Sequence, residues 1–204
     1  MTRQLPQTCE RALLEQFLKA ESMALSLVRA AQAQDVPPGV LRFLRRHEEE
    51  EDRHLQQFEQ LLGRPPQRKV KLPQVPSQWC VLAVHLYGYE ALGLEFAKLL
   101  AVVRPDLSSI LNDEEVHVEF FENEVRNILG QKGPLADGAR RAAQAWRRRL
   151  PRTVDRYLHD DNLAPFRDEL RRSILDAIDD SFGAITLWSE PDVGGTQGEN
   201  SESG

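Results

Sequence analysis

The chain has 204 residues, with 26 Lys and Arg against 32 Asp and Glu and a formal net charge of −6. That is chain enough for one sizeable core, and the charge balance gives no reason to expect nucleic acid or an anionic membrane as the main partner. The two cysteines, Cys9 and Cys80, form no CxxC pair. They suit reduced thiols and exclude a disulfide framework or an attached rubredoxin-type iron site.

The opening residues MTRQLPQTCERALLEQ lack the uninterrupted apolar core of a signal peptide, and no apolar run reaches the roughly 18 residues of a spanning helix. A soluble cytoplasmic protein is expected. Leu14, Phe17, Leu18, Ala24, Leu25 and Val28 recur at three-and-four spacing, which predicts a first helix over about residues 7–34. DVPPG breaks it. A second helix is predicted over about 38–62, with Val40, Leu44, Phe58 and Leu61 on its apolar face and Gly63 at its end. RPPQRKVKLPQVPS follows, with four prolines, and can be neither helix nor central strand. A third helix is predicted over about 78–103 and, after RPDLS, a fourth over about 106–129, capped by Asp106 or a nearby serine and ended by GQKGP.

Short links after the first and third helices predict antiparallel hairpins, and the long connection lets the chain cross from one end of a bundle to the other. Two further helical segments are predicted in residues 134–190. The first, PLADGARRAAQAWRRRLPRTVDRYLH, is arginine-rich and is expected to be interrupted at Pro151. The second, about 162–188, carries Phe166, Leu170, Ile174, Ile178, Phe182 and Ile185 at helical spacing. That stripe must pack on the bundle or on another chain, the latter as a homodimer. Residues 1–190 are expected to form one domain. The polar, glycine-rich stretch 191–204 is expected to be a disordered tail.

The second and fourth helices carry the same motif. EDRHLQQFE starts at Glu51 and EEVHVEFFE at Glu114; both read Glu-x-x-His-x-x-x-Phe-Glu. Residues three apart share a helix face, so Glu51 and His54 point one way, as do Glu114 and His117. Each pair replaces one layer of its helix's apolar stripe. The first and third helices each offer one acid in the same kind of place: Glu21, and Glu90 between Leu86, Tyr87, Gly93 and Leu94. Four carboxylates and two imidazoles could therefore converge. Carboxylates buried without partners are too costly to keep ionised, and two divalent cations would balance them. An oxygen and nitrogen set of this kind suits iron or manganese.

One Glu from each of two helices and Glu-x-x-His from each of the other two resembles the di-iron and di-manganese carboxylate proteins of the ferritin-like superfamily, over about residues 10–128. YEALGLEFAKLL and EEDRHLQQFEQLLGR give a fainter likeness to the tRNA-modifying hydroxylases that act on methylthio-isopentenyl adenosine. The resemblance implies an all-α, ferritin-like four-helix bundle with one long crossover and two extra C-terminal helices. It implies two Fe ions (Mn or mixed Mn/Fe as variants) held by Glu21, Glu51, His54, Glu90, Glu114 and His117. It further implies reaction with O2 or peroxide, an external electron donor, and oxidation or hydroxylation of an organic substrate. The alternative is an iron-oxidising or peroxide-scavenging protein of the ferritin or rubrerythrin kind, without an organic substrate.

Each residue has a blander reading. Glu48, Glu49, Glu50 and Asp52 read as a solvated acidic face. Glu15 competes with Glu21 but has Arg11 and Lys19 at ion-pair spacing; Glu95 competes with Glu90 but has Lys98. His47, one turn before Glu51, reads either as a hydrogen-bond partner of a ligand or as packing. Tyr87 and Tyr89 flank Glu90 and read as donors to a carboxylate or as core. Gly88 and Gly93 each cost about 1 kcal/mol mid-helix, so something must offset that. Gly93 makes room beside the metals or allows a close helix contact. Arg140, Arg141, Arg147, Arg148, Arg149, Arg152 and Arg156, with Trp146 among them, form a basic surface for RNA or another anionic partner, or a solvated helix face.

Overall fold

In the computed structural model, which describes residues 5–63 and 75–188, the regular structure is helical and no strand occurs among the described residues. Six α-helices follow in order: α1 (Glu10–Gln32), α2 (Pro38–Leu62), α3 (Trp79–Val103), α4 (Ser108–Gly130), α5 (Pro134–Tyr157) and α6 (Arg167–Ala184). Short 3-10 turns at Gln7–Cys9, Pro105–Leu107 and Asp161–Phe166 lead into α1, α4 and α6. Local chemistry explains the ends. Pro38 and Pro134 stand at helix starts, where a missing N–H costs nothing. Gly63 ends α2 in the left-handed conformation, φ 64°, that glycine adopts without strain. The proline-rich stretch 64–74 lies outside the described residues, as does the segment 189–204 with its expected tail.

Two local expectations need correction. Neither Asp106 nor a serine caps α4 through its side chain; Asp106 instead takes two hydrogen bonds from Arg104, at 2.8 and 2.6 Å. Arg104 also donates to Glu10 at 2.8 Å, and so ties the start of α1 to the α3–α4 turn. Pro151 does not interrupt α5, which runs through it to Tyr157. Burial of Leu150, Val154 and Tyr157 on the bundle holds that last stretch in place.

Pairings across helices fix their directions. Phe17 meets Phe58, Glu21 meets His54 and Arg29 meets Glu48, so α1 and α2 run antiparallel. His54 meets Asp113, His117 meets Glu50 and Phe43 stacks on Phe120, so α2 and α4 are antiparallel too. α1 and α3 face each other, as do α3 and α4. Tyr87 donates to Glu122 and Gly93 lies against Glu114, so α3 and α4 are antiparallel as well.

α5 and α6 pack on the same core, which is continuous from Leu5 to Leu187. The stripe Leu170, Ile174, Ile178, Phe182 and Ile185 is buried within the chain. Trp146 is buried as well, stacked on Phe182 with ring centroids 5.3 Å apart, so it is no part of an exposed basic surface. Its ring lies against Gly88: a Cβ there would sit 2.5 Å from the indole. Gly88 thus lets α5 approach α3. Arg141, Arg147, Arg148, Arg149, Arg152 and Arg156 are exposed, whereas Arg140 is largely buried beside Asp137; Arg147 donates to Asp179 at 2.8 Å while lying over the Trp188 ring. Leu61 is 37% exposed and leaves the apolar face assigned to it, because α2 is near its end there. Among the described residues no helix is long and apolar enough to cross a membrane.

Candidate metal centre

Glu21, Glu51, His54, Glu90, Glu114 and His117 are all buried and all point into the space between α1, α2, α3 and α4. The structure brings together every residue in the expected ligand set. They form two clusters that share Glu51: Glu21, Glu51, His54 and Glu114 on one side, and Glu51, Glu90 and His117 with His47 on the other. Glu114 also lies between the halves, its Oε1 3.9 Å from His54 Nδ1 and 4.0 Å from His117 Nδ1. The competitors fall outside. Glu15 accepts from Arg11 and Glu95 from Lys98.

The two histidines of the repeated motif are held alike. His54 Nε2 donates to Asp113 Oδ2 at 3.1 Å, and His117 Nε2 donates to Glu50 Oε2 at 2.9 Å. A carboxylate can only accept, so each Nε2 carries a proton, and Nδ1 is the nitrogen left for a cation to bind in exchange for any proton it holds. Both Nδ1 atoms face the cluster's carboxylates, buried and without a hydrogen-bond partner. An outer carboxylate that fixes the tautomer and aims the other nitrogen inward is what a metal-ligating histidine needs. The exchange is reciprocal: Glu50 of α2 holds the histidine of α4, and Asp113 of α4 holds that of α2. Glu50 is therefore not part of a solvated face. The sequence signal for both was present, since an acid precedes the glutamate in each motif (Glu50-Glu51 and Asp113-Glu114).

Glu21 Oε2, Glu51 Oε2 and Glu90 Oε1 are likewise buried without hydrogen-bond partners. Burial pushes the Glu21 carboxyl up to about 8, and burial with Glu21 alongside pushes Glu51 up to about 8. Burial, then Glu51 and Glu90, raise Glu114 well above the usual carboxylate range. Burial also works against ionised Glu90, but His47 and His117 outweigh it and hold Glu90 down at about 2. Burial disfavours the charged form of His117, yet Glu50 and Glu90 raise it to about 11. Without a cation the cluster thus keeps protons that neutral water would remove. Orphaned inward atoms and retained protons both fit a site that divalent cations occupy in exchange for protons. These buried His and Glu clusters could hold metal ions.

Aromatic layers close the cluster along the bundle. Phe17 and Phe58 lie one turn beyond Glu21 and His54, with ring centroids 5.3 Å apart. Phe43 and Phe121 pack on the His47 and His117 end. Tyr87 turns away from the cluster; its hydroxyl donates to Glu122 at 3.3 Å and its ring stacks on Phe182. Tyr89 faces the site instead.

It lines a cavity of about 40 Å³ with Ala20, Ala24, Leu27, Leu92 and Tyr157, and the cavity floor is Glu21, Glu90 and Glu114. That is room for about three water molecules at roughly 10–15 Å³ each. Tyr157 comes from α5 and donates to Met23 Sδ of α1 at 3.6 Å, so the extension roofs the cavity. Gly93 borders it too. A Cβ at Gly93 would lie 2.7 Å from Glu114 Oε2, so this glycine makes room for the Glu114 carboxylate. Compared with protein-family models, with curated proteins and with solved structures, the chain matches none of them.

Proposed function

We propose that the protein is a ferritin-like di-iron carboxylate oxidoreductase that oxidises or hydroxylates an organic substrate with O2 or peroxide. The reading rests on the doubled Glu-x-x-His motif, the helix directions, and the convergence of six buried ligand-type side chains. Two iron ions, or manganese in place of one or both, would be held by Glu21, Glu51, His54, Glu90, Glu114 and His117, a carboxylate and imidazole set suited to these metals. When bound, such a pair supplies the redox chemistry that side chains lack. The chain's own residues do the rest. Glu50 and Asp113 orient the imidazoles, the phenylalanine layers exclude water along the bundle, and Gly93 leaves Glu114 its position.

The observation that favours an organic substrate is the cavity. Its walls are apolar and its floor is three of the ligand carboxylates. Beyond those three carboxylates the lining carries no further acid and is mainly apolar, which would admit an apolar group beside the ligands. Its volume accepts only the reacting end of a larger molecule. Metal analysis of the purified protein comes first, with two iron ions per chain expected. Oxygen uptake is then followed after chemical reduction, with and without a panel of small apolar and aromatic compounds. Uptake that rises with one compound and yields its oxidised product supports the oxygenase. Rapid oxidation of added Fe(II), indifferent to every compound, favours the iron-handling alternative. Binding of RNA or another anion by the exposed arginines of α5 belongs to the same proposal as a means of holding a larger substrate. Its measurement is a salt-dependent loss of binding when Arg148 and Arg149 are replaced by glutamate.

A further inference from the structure

His47 stands outside the repeated motif, one turn before Glu51 on α2, and is fully buried. Its Nε2 lies 2.9 Å from Glu51 Oε1 and 3.5 Å from Glu90 Oε2. His117 Nδ1 addresses the same two oxygens, at 3.7 and 3.6 Å. The two imidazole rings are 3.8 Å apart, centroid to centroid. Four donor atoms thus gather within 4.8 Å of one another, and their four nitrogen–oxygen edges run from 2.9 to 3.7 Å. Donors about 2.1 Å from one cation are spaced about 3.0 Å apart if cis in an octahedron and about 3.4 Å in a tetrahedron. The nitrogen–oxygen edges bracket these values, the shortest being a hydrogen bond from His47 to Glu51 that a cation would replace.

A histidine that serves only packing would find partners for both nitrogens or face solvent. His47 does neither. Nδ1 is buried with no partner, Phe43 and Phe121 flank the ring, and Nε2 is aimed at two carboxylates. Building on the dinuclear reading above, we propose that His47 is a seventh ligand and that the two ions have unequal donor sets. One ion is held by His47, His117, Glu90 and Glu51; the other by His54, Glu21, Glu114 and Glu51. The first set has two imidazoles and the second has one. Imidazole suits iron, whereas oxygen-rich sets suit manganese. The His47 half therefore selects iron over manganese more strongly than the Glu21 half does. His47 has no outer carboxylate like those behind His54 and His117, which makes it the least firmly oriented of the three imidazoles.

The test uses the full-length protein, stripped of metal and titrated anaerobically with Fe(II), and separately with Co(II) for its visible absorption. Wild type should retain two ions per chain. His47→Ala should retain one, or bind one of the two at least tenfold more weakly, with the other unchanged. The Co(II) bands of the affected half alone should shift, and added free imidazole should restore the second ion. Should the alanine variant lose its helicity, His47→Gln keeps the side-chain volume and a hydrogen bond to Glu51, and should show the same one-sided loss. Two ions held with wild-type affinity and an unchanged Co(II) spectrum would overturn the assignment while leaving the dinuclear centre intact. Equal weakening of both ions without imidazole rescue would also overturn it, because an effect passed through the shared Glu51 reaches both halves. A wild-type protein that binds no metal would defeat the dinuclear reading itself, and this inference with it.

Discussion

Two glycines five residues apart on α3 should respond to the same substitution in opposite ways. Glycine costs about 1 kcal/mol relative to alanine in a helix interior, so Gly→Ala gains that much at either place if the methyl fits. At Gly93 the methyl would stand 2.7 Å from Glu114 Oε2, and ordinary contact begins at 3.4 Å. The carboxylate must retreat by about 0.7 Å. It is the far end of a flexible side chain, so in the metal-free protein the retreat costs little. Gly93→Ala should therefore leave the metal-free protein as stable as wild type, or raise its Tm by roughly 2–4 °C for the kilocalorie gained. Metal coordination tolerates about 0.2 Å. The same displacement should cut metal affinity at least tenfold. At Gly88 the methyl would meet the Trp146 ring at 2.5 Å, and that ring is fixed between α3 and Phe182. Overpacking of this kind costs about 1–3 kcal/mol. Gly88→Ala should lower Tm by several degrees and, once folded, bind metal as wild type does. Thermal melts of metal-free protein and a metal titration of each variant give four numbers. Unchanged metal affinity in Gly93→Ala would refute the reasoning, since it would mean that Glu114 does not use its observed position as a ligand.

Other outcomes follow from the same geometry. Glu90→Ala should lower metal content, whereas Glu95→Ala, which removes only the partner of Lys98, should not; metal analysis of the two variants separates ligand from lookalike. Glu50→Gln and Asp113→Asn keep side-chain volume but replace the charged acceptor behind His117 and His54, and should each weaken metal binding about 10- to 100-fold with little change in helicity. The metal-free protein should lose stability as pH rises from about 4.5 to about 9. Glu21 and Glu51, lifted to about 8, hold protons there that the unfolded chain releases near 4.5, and His47, lifted to about 9, does so above 6.5. Each excess proton contributes a slope of about 1.4 kcal/mol per pH unit. Melts of stripped protein across this range measure it. A Tm that climbs with pH would show that the cluster is not protonated as its burial implies.

The helices were legible because their signals are local. Three-and-four spacing, Pro38 at a start and Gly63 at an end place α2 to the residue. Where tertiary contacts override local preference, the reading slipped. Pro151 ought to break α5 by itself, but the apolar side chains on either side of it are buried against the bundle and hold the helix through it. Asp106 has the chemistry of a cap, but Arg104 is a stronger partner than a backbone N–H. Trp146 looked like part of a basic surface because a one-dimensional reading sees its arginine neighbours and not Phe182 or Gly88.

At the site, the glutamates and histidines of the motif declared themselves by interrupting apolar stripes, and that criterion needs only one helix at a time. Glu50, Asp113 and His47 escape it for different reasons. Glu50 and Asp113 stand at the edge of the buried stripe, and their partners are on another helix, so nothing in either helix alone distinguishes Glu50 from Glu49. The duplication does distinguish them. If the acid before each motif glutamate were only a solvated charge, there would be no reason for it to appear in both copies. If it holds the histidine of the opposite copy, it is required in both. His47 has no counterpart in the other copy: four residues before Glu114 stands Ile110, a core residue. The repeat that reveals the outer carboxylates therefore conceals this histidine, because the place four residues before the motif glutamate is His47 in one copy and Ile110 in the other.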